Sequence, residues 1–247
     1  MDLGDLSPEA VAEALPGRPL RAYPALLSTG AEALAWARAG APAGAVVLAD
    51  YQASPRGRGG LEWRVEPGVT LGFSLILRPA LAAEREGWLY TVAASGLADA
   101  LGAGSSIQWP DAVRDPSGRA GAVGVHVELL SRVAEWAVVN VIVDPSPRPR
   151  AQALANAVEA IERRLEAPVE EVLADYVARL QTIGRRVKAR LIPMGPTGVE
   201  VSGMATRALV DGALVIHRND DVGVAVRPQH LGLLEPLDQG SADTSRG

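Results

Sequence analysis

The sequence predicts an α+β fold that ends in a small β-barrel, and three features support this prediction. Short apolar segments typical of buried strands alternate with helical patterns as far as Gly184. Two strand-like segments, 120–130 and 135–143, flank a turn at Ser131-Arg132, as in a hairpin. After Gly184 the chain changes to short alternating segments and turns, which is typical of a small barrel.

Each element follows from its periodicity and from the residues at its ends. Ser28 and Thr29 are favoured at a helix start, and the Ala-rich segment 31–39 follows them. Further strands are predicted over 45–49 and 69–77, and further helices over 84–101, 151–165 and 169–180. In the last part, the Asp211-Gly212 turn separates two alternating segments. We therefore expect an N-terminal leader over 1–20, an α+β domain over 21–183, the barrel over 184–237 and a flexible tail over 238–247.

The composition excludes several classes of function. The chain has 247 residues, a formal charge of −5 and no cysteine, which excludes disulfides and cysteine nucleophiles. Its acidity argues against a general nucleic-acid partner, and its apolar segments are too short to span a membrane. We expect a soluble, cytoplasmic protein. Lys188 is its only lysine, so a mechanism that needs a lysine elsewhere is excluded.

The most unusual segment is the loop that follows the strand at 45–49. It begins at Gln52 and contains Arg56-Gly57-Arg58, with Trp63 after it. Glycines let backbone N–H groups approach an anion, and guanidinium groups bind phosphate or carboxylate. Such loops are about as often solvated connectors, so the loop alone does not establish a ligand site.

A second segment, Trp109-Pro110-Asp111, is typical of a rigid turn, and such a turn can place one polar residue in a cleft. A lone tryptophan more often fills a core. The three histidines, His126, His217 and His230, lack metal-ligand spacing. We therefore predict no protein metal site.

Taken in order, these segments resemble the biotin protein ligase family, within the biotin/lipoate ligase superfamily, from about residue 26 to residue 237. The family's Ser-Thr-Asn is Ser28-Thr29-Gly30 here, and its arginine-glycine loop is matched by Gln52, Arg56, Gly57, Arg58, Gly60 and Trp63. Its Lys-Trp-Pro-Asn-Asp turn is similar to Gln108-Trp109-Pro110-Asp111-Ala112. A looser similarity covers Gly118-Arg119 to Glu128. The resemblance implies a mixed central sheet flanked by helices and an SH3-like barrel.

The resemblance also implies a reaction. Biotin and ATP, with Mg²⁺, give biotinyl-adenylate, and biotin then passes to a lysine on the carrier domain of a carboxylase. At the matching positions, Ser28, Thr29, Gln52, Arg56 and Gly57 would bind the substrate. The nucleotide would meet Trp63, Trp109 and Asp111, and the catalytic cations would be Arg58 and Arg119. The resemblance also makes a homodimer possible. Repressor members of the family carry an N-terminal DNA-binding domain, and the roughly 20 residues before the matching region are too few to form one.

Departures from the family pattern leave alternatives open. Gln108 and Arg119 replace family lysines, Pro55 replaces a loop glycine, and Asn140 is out of register with a family asparagine. One hypothesis is an active biotin ligase or a relative that activates another small acid. The alternative is a weakened or inactive paralogue that binds an acyl or nucleotide ligand or a partner. Lipoyl transferases that need cysteine are excluded.

Overall fold

A seven-stranded mixed sheet is the centre of the computed structural model, which describes residues 4–195, 198–220 and 222–237. Its strands are β1 (Leu20–Leu26), β2 (Val46–Gln52), β3 (Leu71–Leu77), β4 (Ser106–Gln108), β5 (Ala112–Arg114), β6 (Ala120–Leu130) and β7 (Val133–Val143). They lie in the order β1-β2-β3-β7-β6-β5-β4. β1 and β2 are parallel and the other neighbours antiparallel, so the predicted mixed sheet and hairpin are confirmed.

The described chain has five α-helices, which are α1 (Pro8–Ala14), α2 (Thr29–Arg38), α3 (Trp88–Leu101), α4 (Arg150–Glu166) and α5 (Val169–Arg179). Helices α2, α3 and α4 cover the two faces of this sheet. Helix α2 packs its alanines against Ile76, Trp136 and Val138 on one face. Helices α3 and α4 bury their apolar residues on the other face, in the larger core. Because both faces are covered, every residue of β3 is buried.

The contact between α3 and α4 depends on a glycine. A side-chain carbon built on Gly96 would lie 2.6 Å from the Cα atom of Ile161 in α4. This distance is far below van der Waals contact, so only glycine lets the two helix backbones approach so closely. The neighbouring hydroxyl of Ser95 is buried without a hydrogen-bond partner in the described chain.

Strand β1 is not among the elements predicted from the sequence, and it contains Pro24, a residue that is rare in strand interiors. The structure places β1 at the edge of the sheet, and the paired residues run through Tyr23 and Ala25 but omit Pro24. Edge strands tolerate proline because their outer backbone groups have no strand partner. The predicted leader contains α1 and the start of β1, with residues 1–3 outside the described chain.

The C-terminal part is a five-stranded antiparallel sheet. Its strands are β8 (Arg186–Leu191), β9 (Glu200–Ala208), β10 (Leu214–His217), β11 (Gly223–Val226) and β12 (Leu231–Pro236), in the order β11-β10-β9-β8-β12. No pairing closes β11 onto β12 in the described residues, so the sheet is open there, and barrel closure stays a prediction. The predicted tail, 238–247, lies outside the described residues. None of the described helices has the length and apolar character that crossing a bilayer requires.

Gly96→Ala tests the close helix contact. Helix propensity alone predicts a gain of about 1 kcal/mol. We expect instead a loss of about 1–3 kcal/mol in the free energy of unfolding, because the added methyl group meets the backbone of α4. Denaturant unfolding measures the difference. Ser95→Ala is the matched control and should not lower stability, since its hydroxyl has no partner to lose. A Gly96→Ala protein as stable as the original would contradict the packing.

Candidate functional site

A cleft of about 390 Å³ lies where the start of α2, the loop after β2 and the middle of β6 and β7 meet. The lining residues are Ser28, Gly30, Ala31, Leu34, Arg56, Gly57, Arg58, Gly59, Gly60, Gly124, Val125, His126 and Asn140. The structure thus brings together Ser28 and the arginine-glycine loop, two segments that sequence reasoning placed at one site. The volume of the cleft is within the range of small-molecule pockets.

A network of neutral polar groups lies beside this cleft. The backbone N–H of Thr29 donates to Oε1 of Gln52 at 2.8 Å. The Ser74 hydroxyl lies 2.9 Å from Oγ1 of Thr29 and 2.7 Å from Oδ1 of Asn140. Thr29, Gln52 and Ser74 are all buried, so they fix the position of Asn140, which lines the cleft. The network gives the cleft a rigid floor that can recognise a neutral polar ring.

Two glycines keep the floor open. Ser74 of β3, Asn140 of β7 and Gly124 of β6 are paired across three neighbouring strands. A side-chain carbon on Gly124 would lie 3.2 Å from the backbone nitrogen of Arg58. One on Gly30 would lie 2.7 Å from Oδ1 of Asn140. A larger residue at either position would displace the loop or the asparagine and fill the cleft.

Arg58 joins three parts of the chain. Its Nε donates to Oδ2 of Asp111 at 2.7 Å, and its Nη1 donates to the carbonyls of Leu231 and Gly232. Arg58 lines the cleft but is only 7% exposed, so its guanidinium is largely buried and already paired. Burial raises the pKa of Asp111 above its ordinary value, although the nearby Arg58 opposes this shift.

Arg56 differs from Arg58 because it remains accessible. Its side chain is 48% exposed, and its Nη1 forms an ion pair with Glu62 at 2.8 Å. Exposed pairs of this kind are weak, so the guanidinium is available to a ligand.

His126 stacks on Trp136. Burial lowers the pKa of the His126 imidazole, Arg38 lowers it further, and Glu128 opposes the shift. At neutral pH the histidine is therefore mainly uncharged, and Arg56 is the accessible cation of the cleft lining.

The two tryptophans predicted to meet a nucleotide do not line the cleft in the described chain. Trp109 is 1% exposed, and its indole N–H donates to the Gly212 carbonyl at 3.0 Å, so it anchors the C-terminal sheet. Trp63 lies against Gly57, where a side-chain carbon would be 2.5 Å from the indole. Trp63 therefore packs against the loop at Gly57. Asp111 is held by Arg58.

Arg119 is not brought to the cleft. Its Nε donates to Asp115 at 2.6 Å, and its other nitrogens donate to the carbonyls of Ser146 and Leu101. Burial raises the pKa of Asp115, but hydrogen bonds from Ser117 and Arg119 lower it more strongly, to about 2. Arg119 therefore stabilises the turn between β5 and β6 and is not among the cleft-lining residues.

Sequence reasoning gave no site role to several cleft residues. In the sequence Asn140 is out of register with a family asparagine, and no motif there assigns Ser74, Gly124 or His126 to the cleft. Asn140 carried a signal, because it is a polar residue inside the apolar segment 136–143. The register that aligns Ser74 with Asn140 is a tertiary property and has no local signature. Within the described residues, no cluster of three or more acidic or histidine side chains can hold a metal ion.

Asp115→Asn tests the structural role given to Arg119. The pKa of Asp115 is below its ordinary value, so its charge stabilises the fold above about pH 4, and this stabilisation is lost as the pH falls toward 2. We expect the variant to be less stable at pH 6 and to converge with the original protein at low pH. Denaturant unfolding at several pH values measures this. Glu13→Gln, on an exposed carboxylate, is the control. Equal stability at pH 6 would contradict the role.

Comparison with known proteins identifies the fold. No protein-family model matches the chain. It is 34% identical over 99 residues to the bifunctional ligase/repressor BirA of Bacillus subtilis, a match that covers 38% of this chain and only 30% of that protein. The biotin protein ligase of Aquifex aeolicus, solved with biotin and ATP, is 20% identical, with a TM-score of 0.65 over 89% of this chain and 99% of that one. A biotin protein ligase-like protein from Silicibacter is 15% identical, with a TM-score of 0.64 over 87% of this chain and 96% of that one. The chain therefore has the fold of the biotin protein ligases.

Proposed function

We propose that the chain activates a small carboxylic acid, with biotin the first candidate, by joining it to AMP from ATP. The acyl group would then pass to a lysine of a carrier domain. The observation that carries this proposal is the shared cleft, in which the neutral floor around Asn140 lies beside the arginine-glycine loop. Residues 21–183 would form the catalytic domain, and 184–237 would form a small barrel-like domain.

The neutral floor suits the ring of biotin, which carries one carbonyl acceptor and two N–H donors. Ser28 and Asn140 line the cleft and would bond the ring directly. Thr29 and Gln52 are buried, so they would act as positioning residues that hold the start of α2. A buried polar site of this kind rejects ligands that leave its groups unpaired.

The charged side of the cleft suits the reacting atoms. A carboxylate oxygen attacks the α-phosphorus of ATP, and the bond to pyrophosphate breaks. The carrier amine then attacks the acyl carbon, AMP leaves with the bonding electrons, and the amine loses a proton to solvent. Arg56 would offset the two approaching anions, and Gly57 would let backbone N–H groups face them. Mg²⁺ would arrive bound to the phosphates of ATP, as part of the substrate.

A second candidate is a protein that binds the acyl ligand or its adenylate without turnover. The position of Arg58 favours it, because Asp111 and two backbone carbonyls already hold this guanidinium. The only lysine, Lys188, lies in β8 and pairs with Glu200, so it supplies no charge to the cleft. Loss of an oriented charged donor typically costs about 10²–10³ in rate.

Purified protein incubated with biotin, Mg²⁺ and ATP labelled at the α-phosphate distinguishes the two candidates. We expect labelled biotinyl-adenylate, and transfer of biotin to an added carrier domain. Calorimetry with a non-hydrolysable adenylate analogue is run in parallel. Tight binding of the analogue without labelled adenylate would favour the second candidate. If no labelled adenylate forms and the analogue does not bind, both candidates are contradicted.

Arg56→Gln tests the accessible cation. We expect affinity for the adenylate analogue to fall about tenfold to a hundredfold, because a charge-assisted hydrogen bond to the ligand is lost. The matched control is Arg132→Gln, which removes an exposed guanidinium that pairs with Glu84 and is outside the cleft lining. Calorimetry measures both. Unchanged affinity in Arg56→Gln would show that the ligand does not meet this loop.

A further inference from the structure

A second cavity, of about 430 Å³, lies beside the ends of α4 and β3 and shares no lining residue with the cleft described above. Its walls combine apolar side chains from several elements with three arginines, Arg18, Arg78 and Arg85. Trp88 at the start of α3 also lines it. The cavity is large enough for a small organic molecule.

The three arginines are partnered to different extents. Arg18 is fully engaged, because its Nη1 and Nη2 bond the two carboxylate oxygens of Glu162 at 2.6 and 2.8 Å. Arg78 donates through Nε and Nη2 to the Ala41 carbonyl, which carries no charge. In the described chain no carboxylate pairs with Arg78, and a ligand anion can approach its exposed side.

Arg85 is the least satisfied of the three. Its Nε and Nη2 are buried and make no hydrogen bond within the described residues. Its guanidinium carbon lies 5.6 Å from the ring centroid of Trp88, and this ring is its main described partner. A partly desolvated cation with no carboxylate partner among the described residues is costly. Arg85 lines the cavity, so an anion there would supply counter-charge to its guanidinium, although these two nitrogens are themselves shielded from solvent.

The charge and the walls together define the ligand. Two glutamates, Glu162 and Glu166, face three arginines, so the cavity carries a net positive charge, and Glu162 is already used by Arg18. Leu77, Leu81, Leu165 and Val169 give it an apolar wall. We propose that this cavity is a second ligand site, which binds an organic carboxylate with an apolar body through Arg85 and Arg78. This site does not depend on the proposed ligase function.

The probe for this site is 3-phenylpropionate, with the uncharged 3-phenylpropanol as the matched control ligand. We expect the indole N–H signal of Trp88, assigned by Trp88→Phe, to shift on titration with the acid and not with the alcohol. Arg85→Gln should weaken the affinity for the acid about tenfold or more. The adenylate analogue should not compete, since the two cavities share no lining residue.

Two control variants separate the site from general charge effects. Arg132→Gln removes an exposed guanidinium that pairs with Glu84. Arg56→Gln removes an accessible cation of the first cleft. Both variants should bind 3-phenylpropionate with the affinity of the original protein. Arg85→Gln should unfold at the same or a higher denaturant concentration, because the residue it replaces lacks hydrogen-bond partners for two nitrogens. No shift at Trp88, equal shifts with the alcohol, or unchanged affinity in Arg85→Gln would overturn the proposal.

Discussion

The buried guanidinium of Arg58 is the interaction on which the arrangement of the site depends. It bonds Asp111 of the turn after β4 and the carbonyls of Leu231 and Gly232 in the C-terminal sheet. A charge so far from water is stable only when its donors are paired, so the three segments have to meet for Arg58 to be tolerated. The loop that carries Arg58 thereby takes a defined path, and this path places Arg56 at the mouth of the cleft.

The fold was largely predictable because it depends on hydrophobic periodicity. The segments around β2, β3, β6 and β7 are apolar over lengths typical of strands, and local turn residues mark the hairpin. β1 was missed because the effect of Pro24 depends on whether a strand lies at an edge, which is a property of the whole sheet. The short strands β4 and β5 have three residues each, which is too few for a period to be recognised.

Prediction of the site was more uneven, and for a physical reason. Ser28, Gln52 and Arg56 lie in contiguous motifs, so their spacing is visible in the chain. The orientation of a side chain is not visible there. Arg58 and Arg119 are both cations in matching motifs, but one is held by Asp111 and the other by Asp115. Asn140 enters the cleft through strand register, which links it to Ser74, 66 positions away in the sequence.

Pro24 also affects how the central sheet meets other molecules. Pro24 has no backbone N–H group, so a strand that paired with the outer edge of β1 would lack one backbone hydrogen bond. Exposed edges are templates for uncontrolled stacking of identical chains, and a break within seven residues shortens the usable template. Pro24 therefore makes the outer edge of β1 a poorer template for pairing with another strand.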